Sequence, residues 1–214
     1  MTKQGSNMAD ETINSAKDAA GLSAMISHAA EQSGEKSRGP APVERWDPPF
    51  CGDLDMEIRA DGTWFYMGTP IGRAPLVRLF STVLRKDEDG QTYLVTPVEK
   101  VGIRVVDAPF LAVEMNVAEK DGAQVLTFRT NVGDVVEVGP QNPLRFELSG
   151  ENMALKPYLR VRGRLDALVS RAVMYDLVEL GEVIEIEGKE MFAVRSGGEV
   201  FAIMPADELD ALSR

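Results

Sequence analysis

The chain has 214 residues, 44% hydrophobic and 27% charged, a length that suits two modest domains and a composition that can bury a core without disulfides or metals. Its net charge of −11 divides as five basic against six acidic residues (−1) over positions 1–45, leaving −10 for positions 46–214, so phosphate backbones and anionic membranes are repelled at long range. A single cysteine and a single histidine exclude an internal disulfide, cysteine metal clusters and histidine-ligated zinc or iron in the body, and leave a Ser-His-Asp or Cys-His mechanism there without its base.

The opening M-T-K-Q-G-S-N-M-A-D-E is polar and acidic where a secretory signal needs a basic and then an apolar stretch, and no run approaches membrane-spanning length. The expectation is a cytoplasmic protein with no nucleic-acid or membrane partner, its residues 1–11 lacking fixed structure. Over 22–32, Leu22, Met25, Ile26, Ala29 and Ala30 fall at helical spacing, with Ser23 as a cap, and His28 lies within this stretch. The S-G-E-K-S-R-G-P-A-P-V that follows reads as a linker.

From Trp46 the texture changes to a proline-stiffened entry, W-D-P-P-F-C-G, and then to L-D-M-E-I-R-A-D-G-T-W-F-Y-M-G, two alternating runs folded about Asp61-Gly62. A two-residue type I′ turn would pair Arg59 with Trp64 and set Trp64 and Tyr66 on a charged face. A type I turn with a glycine bulge pairs Ile58 with Trp64 and Met56 with Tyr66, gathering Leu54, Met56, Ile58, Trp64 and Tyr66 on one apolar face. Burying such side chains at roughly 1.5 to 3 kcal/mol each outweighs one cation–π contact of about 0.5 to 1, so the second register is expected.

A helix is expected from Ala74, using Leu76, Leu79, Phe80, Val83 and Leu84, with Pro75 in its first turn. The runs T-Y-L-V-T-P, K-V-G-I-R-V-V, F-L-A-V-E-M-N-V and A-Q-V-L-T-F-R-T read as an antiparallel meander, followed by shorter strands near 135–138, 144–146 and 158–161. A second helix is expected over 164–180, using Leu165, Leu168, Val169, Val173 and Leu177, then three short strands. The resulting fold class is α+β: two small domains of mainly antiparallel strands, each with one packed amphipathic helix. Segments 1–44, 45–98 and 99–214 are the flexible N-terminal segment, the first domain and the second. A helix followed by a glycine-turned strand pair near 74–97 and again near 164–204 leaves room for a degenerate internal repeat.

No phosphate-loop or dinucleotide fingerprint occurs, and no cofactor or metal is expected. G-T-P-I-G-R is the nearest thing to an anion cradle, with Thr69 as a helix cap and Arg73 nearby; its plainer reading is a capped helix start. Cys51, between Phe50 and Gly52, reads as a small buried hydrophobe. Asp53 and Asp55 stand two apart, suiting either an acid/base or hard-cation pair or a solvated strand edge. Arg160, Arg162 and Arg164 alternate in Y-L-R-V-R-G-R-L-D, so they either line one strand face and grip an anionic group or pair with the chain's own acids such as Asp166, Asp176 or Glu179. With Asp55 and Arg73, these arginines make up the expected ligand- or partner-binding set, for a small anionic ligand or a protein.

The strings W-D-P-P-F-C-G-D-L-D, D-G-T-W-F-Y-M-G-T-P-I-G-R, L-V-T-P-V-E-K-V, V-D-A-P-F and R-G-R-L-D-A-L-V-S-R-A-V-M-Y-D-L-V-E, in this order over 46–205, together resemble a bacterial uncharacterised family, domain of unknown function number 1285. The resemblance implies a two-domain α+β protein with repeated structural motifs and an association with bacterial signal transduction. It implies no established activity and supplies no catalytic residues. Three functional classes follow: a ligand- or protein-binding module, a carboxylate-based or divalent-metal-dependent enzyme, and an assembly subunit.

Overall fold

In the first part of the chain, alternating apolar runs and glycine turns build one six-stranded sheet. The computed structural model describes residues 39–149 and 154–208, so the expectations for 1–11 and 22–32 lie outside the described residues. A short 3-10 turn, Val43–Arg45, leads into β1 (Phe50–Ile58), β2 (Trp64–Tyr66) and β3 (Thr69–Pro70). Helix α1 (Ala74–Thr82) follows, then β4 (Leu84–Lys86), β5 (Thr92–Val95) and β6 (Lys100–Val105). The sheet order is β3-β2-β1-β6-β5-β4, with β1 and β6 parallel and the other neighbours antiparallel.

The first hairpin adopts the bulged register. Ile58 pairs with Trp64 and Met56 with Tyr66, while the Arg59 N–H donates to the Thr63 carbonyl at 3.0 Å and Gly62 takes a φ of 78°. Trp64 and Tyr66 are therefore core, and Trp64 stacks on Phe80 of α1 with centroids 6.2 Å apart. The buried Trp64 indole N–H has no acceptor among the described residues; the whole-ring burial outweighs that loss of about 1 to 3 kcal/mol. Helix α1 stops at Thr82, so Leu84 serves in β4. Thr69 pairs with Tyr66 in β3 and caps nothing; Arg73 occupies the N-cap position, with no side-chain cap bond.

The second part repeats the strand plan. β7 (Phe110–Lys120), β8 (Ala123–Thr130), β9 (Val135–Glu137), β10 (Leu144–Ser149), β11 (Ala154–Arg162) and β12 (Leu165–Val169) form a sheet ordered β9-β8-β7-β12-β11-β10, again with its first and last strands parallel. The expected four-strand meander is thus split between two sheets after β6. The strand Lys100–Val105, expected in the second domain, hydrogen-bonds to both β1 and β5, and the chain divides between Asp107 and Ala108.

Leu165–Val169, expected to begin the second helix, is instead strand β12. Leu165, Ala167 and Val169 are buried in strict alternation, and β12 is bonded on both sides, to β11 and β7. Helix α2 (Arg171–Glu179) starts only after Ser170. A three-stranded antiparallel sheet, β13 (Glu182–Ile186), β14 (Lys189–Ser196) and β15 (Glu199–Pro205), completes the second domain. Phe192, Ile203 and Met204 pack there against Phe146, Leu148, Leu155 and Val178. The chain is a two-domain α+β protein, and among the described residues no helix is long and apolar enough to cross a membrane.

Candidate functional site

Four strands of the first sheet bring one row of residues together. Asp53 of β1 is opposite Gly102 of β6, Gly102 opposite Tyr93 of β5, and Tyr93 opposite Arg85 of β4; directly opposed residues share a face. Gly102 is buried there beneath its neighbours' side chains: a Cβ at that position would fall on the Asp53 Oδ1 and lie 3.8 Å from a Phe50 ring carbon. Phe50, 55% exposed, stands edge-on to the Tyr93 ring with centroids 6.1 Å apart.

The charges around this floor are largely paired. Arg85 is buried; its Nε and Nη2 donate to the two Asp87 oxygens at 2.6 and 3.2 Å, and its Nη1 donates to the carbonyls of Val43 and Trp46 at 2.8 and 2.7 Å. Lys100 Nζ reaches Asp87 at 3.0 Å and lies 4.5 Å from the Tyr93 ring centre. Burial alone would push the Asp87 carboxyl up, but hydrogen bonds from Arg85 and Lys100 and their charges hold it below its usual range. The Tyr93 hydroxyl donates to Asp89 at 2.6 Å, and this bond pushes the phenol up to about 12. Two cations (Arg85, Lys100) face three carboxylates (Asp53, Asp87, Asp89), one net negative charge. Asp53 is exposed, and its side chain makes no hydrogen bond or ion pair among the described residues.

Of the expected binding set, Asp55 and Arg73 are both exposed in the first domain, and no described hydrogen bond or ion pair joins them to each other or to this row. A bulge between Arg160 and Arg162 breaks the expected alternation, and Arg164 lies in the turn after Gly163. Arg160 binds Asp166 at 2.6 Å and the Gly163 carbonyl at 3.0 Å; Arg162 binds Asp134 at 2.6 Å and lies 4.9 Å from the Phe110 ring centre. Arg145, not singled out in the sequence, shares Asp166 at 3.1 Å. The arginine strand is therefore internally compensated at Arg160 and Arg162.

Sequence reasoning also missed Glu99, a half-buried carboxyl that burial pushes up and that no described hydrogen bond compensates. The glycine inside K-V-G-I-R-V was the one visible signal for the floor at Gly102. Among the described residues no group of three or more His, Cys, Asp or Glu is arranged to hold a metal ion.

Comparison with known proteins places these features in a family. The model for the DUF1285 N-terminal domain, a domain of unknown function, matches residues 41–108, and that for the C-terminal domain, described as a protein of unknown function, matches 109–203. A crystal structure of a DUF1285 family protein from Silicibacter pomeroyi DSS-3 is similar, with 50% identity, a TM-score of 0.75, and coverage of 85% of this chain and 96% of that one. Another, from Shewanella baltica OS155, shows 29% identity and a TM-score of 0.47, covering 59% of this chain and 91% of that one. The curated proteins give no match.

Proposed function

This chain belongs to the DUF1285 family, and we propose that it is a binding module whose first domain receives a cationic group, a lysine or arginine side chain of a protein partner, on the Gly102 floor. The observation that carries this is Asp53: an exposed carboxylate with no hydrogen bond or ion pair among the described residues, lying over the buried Gly102 and beside a half-exposed aromatic ring. A cation seated there meets the Asp53 oxygens on one side and the Phe50 ring on the other. The chain's net charge of −11 steers cations toward it and repels anions. Pairing of Arg160 with Asp166 and of Arg162 with Asp134 removes the support for an anion grip on that strand. A place in bacterial signal transduction is part of this proposal and rests on the resemblance alone.

The energetics point to a protein partner. An exposed ion pair contributes about 0.2 to 1 kcal/mol and a cation–π contact about 0.5 to 1, so Asp53 and Phe50 alone hold a free amine only weakly. A partner must add contacts around the floor.

Amide-resolved NMR with Nα-acetyl-lysine methylamide tests the site. The expected result is concentration-dependent shifts at Phe50, Asp53 and Gly102, with an affinity on the order of tens to hundreds of millimolar, and none at these positions with the glutamate analogue. Asp53→Asn abolishes the response. Gly102→Ala does so too, yet leaves the fold intact, since the added methyl meets the movable end of the Asp53 side chain. Equal shifts in the Asp53→Asn protein, or a preference for the glutamate analogue, would overturn the reading.

A further inference from the structure

We propose that the outer edge of β13 is a docking site for an extended, basic segment of a partner protein, which adds to the three-stranded sheet as a fourth strand. This goes beyond the Gly102 site, lies in the other domain and does not depend on it.

The order is β13-β14-β15, in which β13 bonds, among the described residues, only to β14. Its register is unbroken over five pairs, from Glu182 with Ala193 to Ile186 with Lys189, closed by the two-residue turn Glu187-Gly188. In such a hairpin the closing pair is hydrogen-bonded and the pairs alternate from there. Val183 and Glu185 therefore turn their N–H and C=O groups away from β14, and no hydrogen bond among the described residues reaches them. Among the other edge strands, β3 is two residues long and contains Pro70, β4 and β9 span three residues each, and the longer β10 and β15 lie in contact with each other. β13 has five residues, no proline and no bulge.

What protects this edge is negative charge, and that selects the occupant. Residues 182–205 carry Glu182, Glu185, Glu187, Glu190 and Glu199 against Lys189 and Arg195, five acids minus two bases, or −3. Arg195 is already committed to Glu182 at 2.6 Å. A second copy of this chain would bring the same acids edge to edge; a basic segment is attracted. Val183 is 55% exposed, and Ile184 and Ile186 are partly exposed on the opposite face. An incoming strand that alternates lysine with an aliphatic residue meets both the charges and the apolar side chains.

The test uses an acetylated peptide alternating lysine and valine, with a glutamate–valine peptide as control. Hydrogen exchange is read at the amides of Val183 and Glu185. With the basic peptide at roughly ninety per cent occupancy both amides should slow about tenfold, since exchange then proceeds through the free tenth; the acidic peptide should leave them unchanged. Glu185→Lys should weaken binding about tenfold. Val183→Pro should abolish the protection of Glu185, because proline is tolerated where the N–H faces outward but cannot pair with an added strand. Glu185→Lys stands as the independent variant should the proline disturb the sheet. Because the readout sits at β13, Asp53→Asn leaves it unmoved. The proposal is overturned by no protection with the basic peptide, by protection that survives Glu185→Lys undiminished, or by peptide-independent protection that grows with protein concentration, which would make a second copy the occupant.

Discussion

Replacing Arg85 by methionine tests what holds the entry segment on the first domain. The guanidinium donates to both oxygens of Asp87 and to the carbonyls of Val43 and Trp46, with a side chain 10% exposed. Methionine keeps much of the packing of the aliphatic stem and removes all four bonds. The two carbonyl bonds contribute about 1 to 1.5 kcal/mol each. The Asp87 pair contributes about 1 to 2 more, discounted because Asp87 is partly exposed and retains Lys100. The expected loss is about 3 to 5 kcal/mol. Both tryptophans, Trp46 and Trp64, lie in the first domain, so intrinsic fluorescence during urea unfolding reports that domain selectively. At a slope of about 1 to 2 kcal/mol per molar, the fluorescence midpoint should fall by about 1.5 to 5 M. Arg85→Lys should recover less than half, since one ammonium does not reach three acceptor groups with the guanidinium's planar fork. A midpoint shift under about 0.5 M with unchanged emission would refute the idea that the arginine fastens this segment.

Two further perturbations separate the domains. Ser196, fully buried, donates to the Val138 carbonyl and accepts from the Leu126 N–H, each at 2.9 Å; Ser196→Ala strands both and should cost about 2 to 3 kcal/mol, seen in far-ultraviolet circular dichroism with the tryptophan transition unmoved. Glu99→Gln should stabilise the first domain at neutral pH. The wild-type carboxyl is pushed up in the folded state by burial, so its ionised form opposes folding, and the penalty disappears as pH falls through the folded value toward the unfolded one. The difference between variant and wild type should therefore vanish below about pH 4; a constant difference across that range would assign the effect to packing.

The parts of the fold that were legible were those fixed by neighbours in the chain. R-A-D-G-T specifies a bulged turn, and the turn sets which residues face the core; the same bonding recurs at Asp87–Gln91 and Thr130–Asp134. Leu165–Val169 was misread because Leu165, Leu168 and Val169 satisfy a helical spacing while Leu165, Ala167 and Val169 satisfy a strand spacing. Only the flanking strands β11 and β7 decide between them. The Gly102 row was illegible for a related reason: β6 lies between β1 and β5 through a parallel contact with a strand more than forty residues away in sequence. Arg85 reads as part of a charged turn, R-K-D-E-D, and becomes buried only when residues 43–46 fold over it.

The internal repeat is real in strand order, but it is not the echo of helix and strand pair that the sequence offered. In each domain strands one to three and four to six form two meanders joined by a parallel contact between the first and last. What differs is the crossover from the third strand to the fourth. In the first domain it contains α1, whose Leu76 and Phe80 cover the core of the sheet. In the second it is a short loop held by Asn142, whose side-chain amide donates to the carbonyls of Arg160 and Val161. A loop offers no apolar stripe, so the second sheet takes its cover from later in the chain. Leu177 of α2 is fully buried, and Phe192, Ile203 and Met204 of β14 and β15 pack on Phe146, Leu148 and Leu155. β14 and β15 supply this cover, and Ser196 stitches the end of β14 to β8. β13 supplies none of these core residues and is left as the outermost strand. The exposed edge thus follows from replacing a crossover helix with a three-stranded cover, which is why the first domain, built on the same strand order, presents no equivalent of it among the described residues.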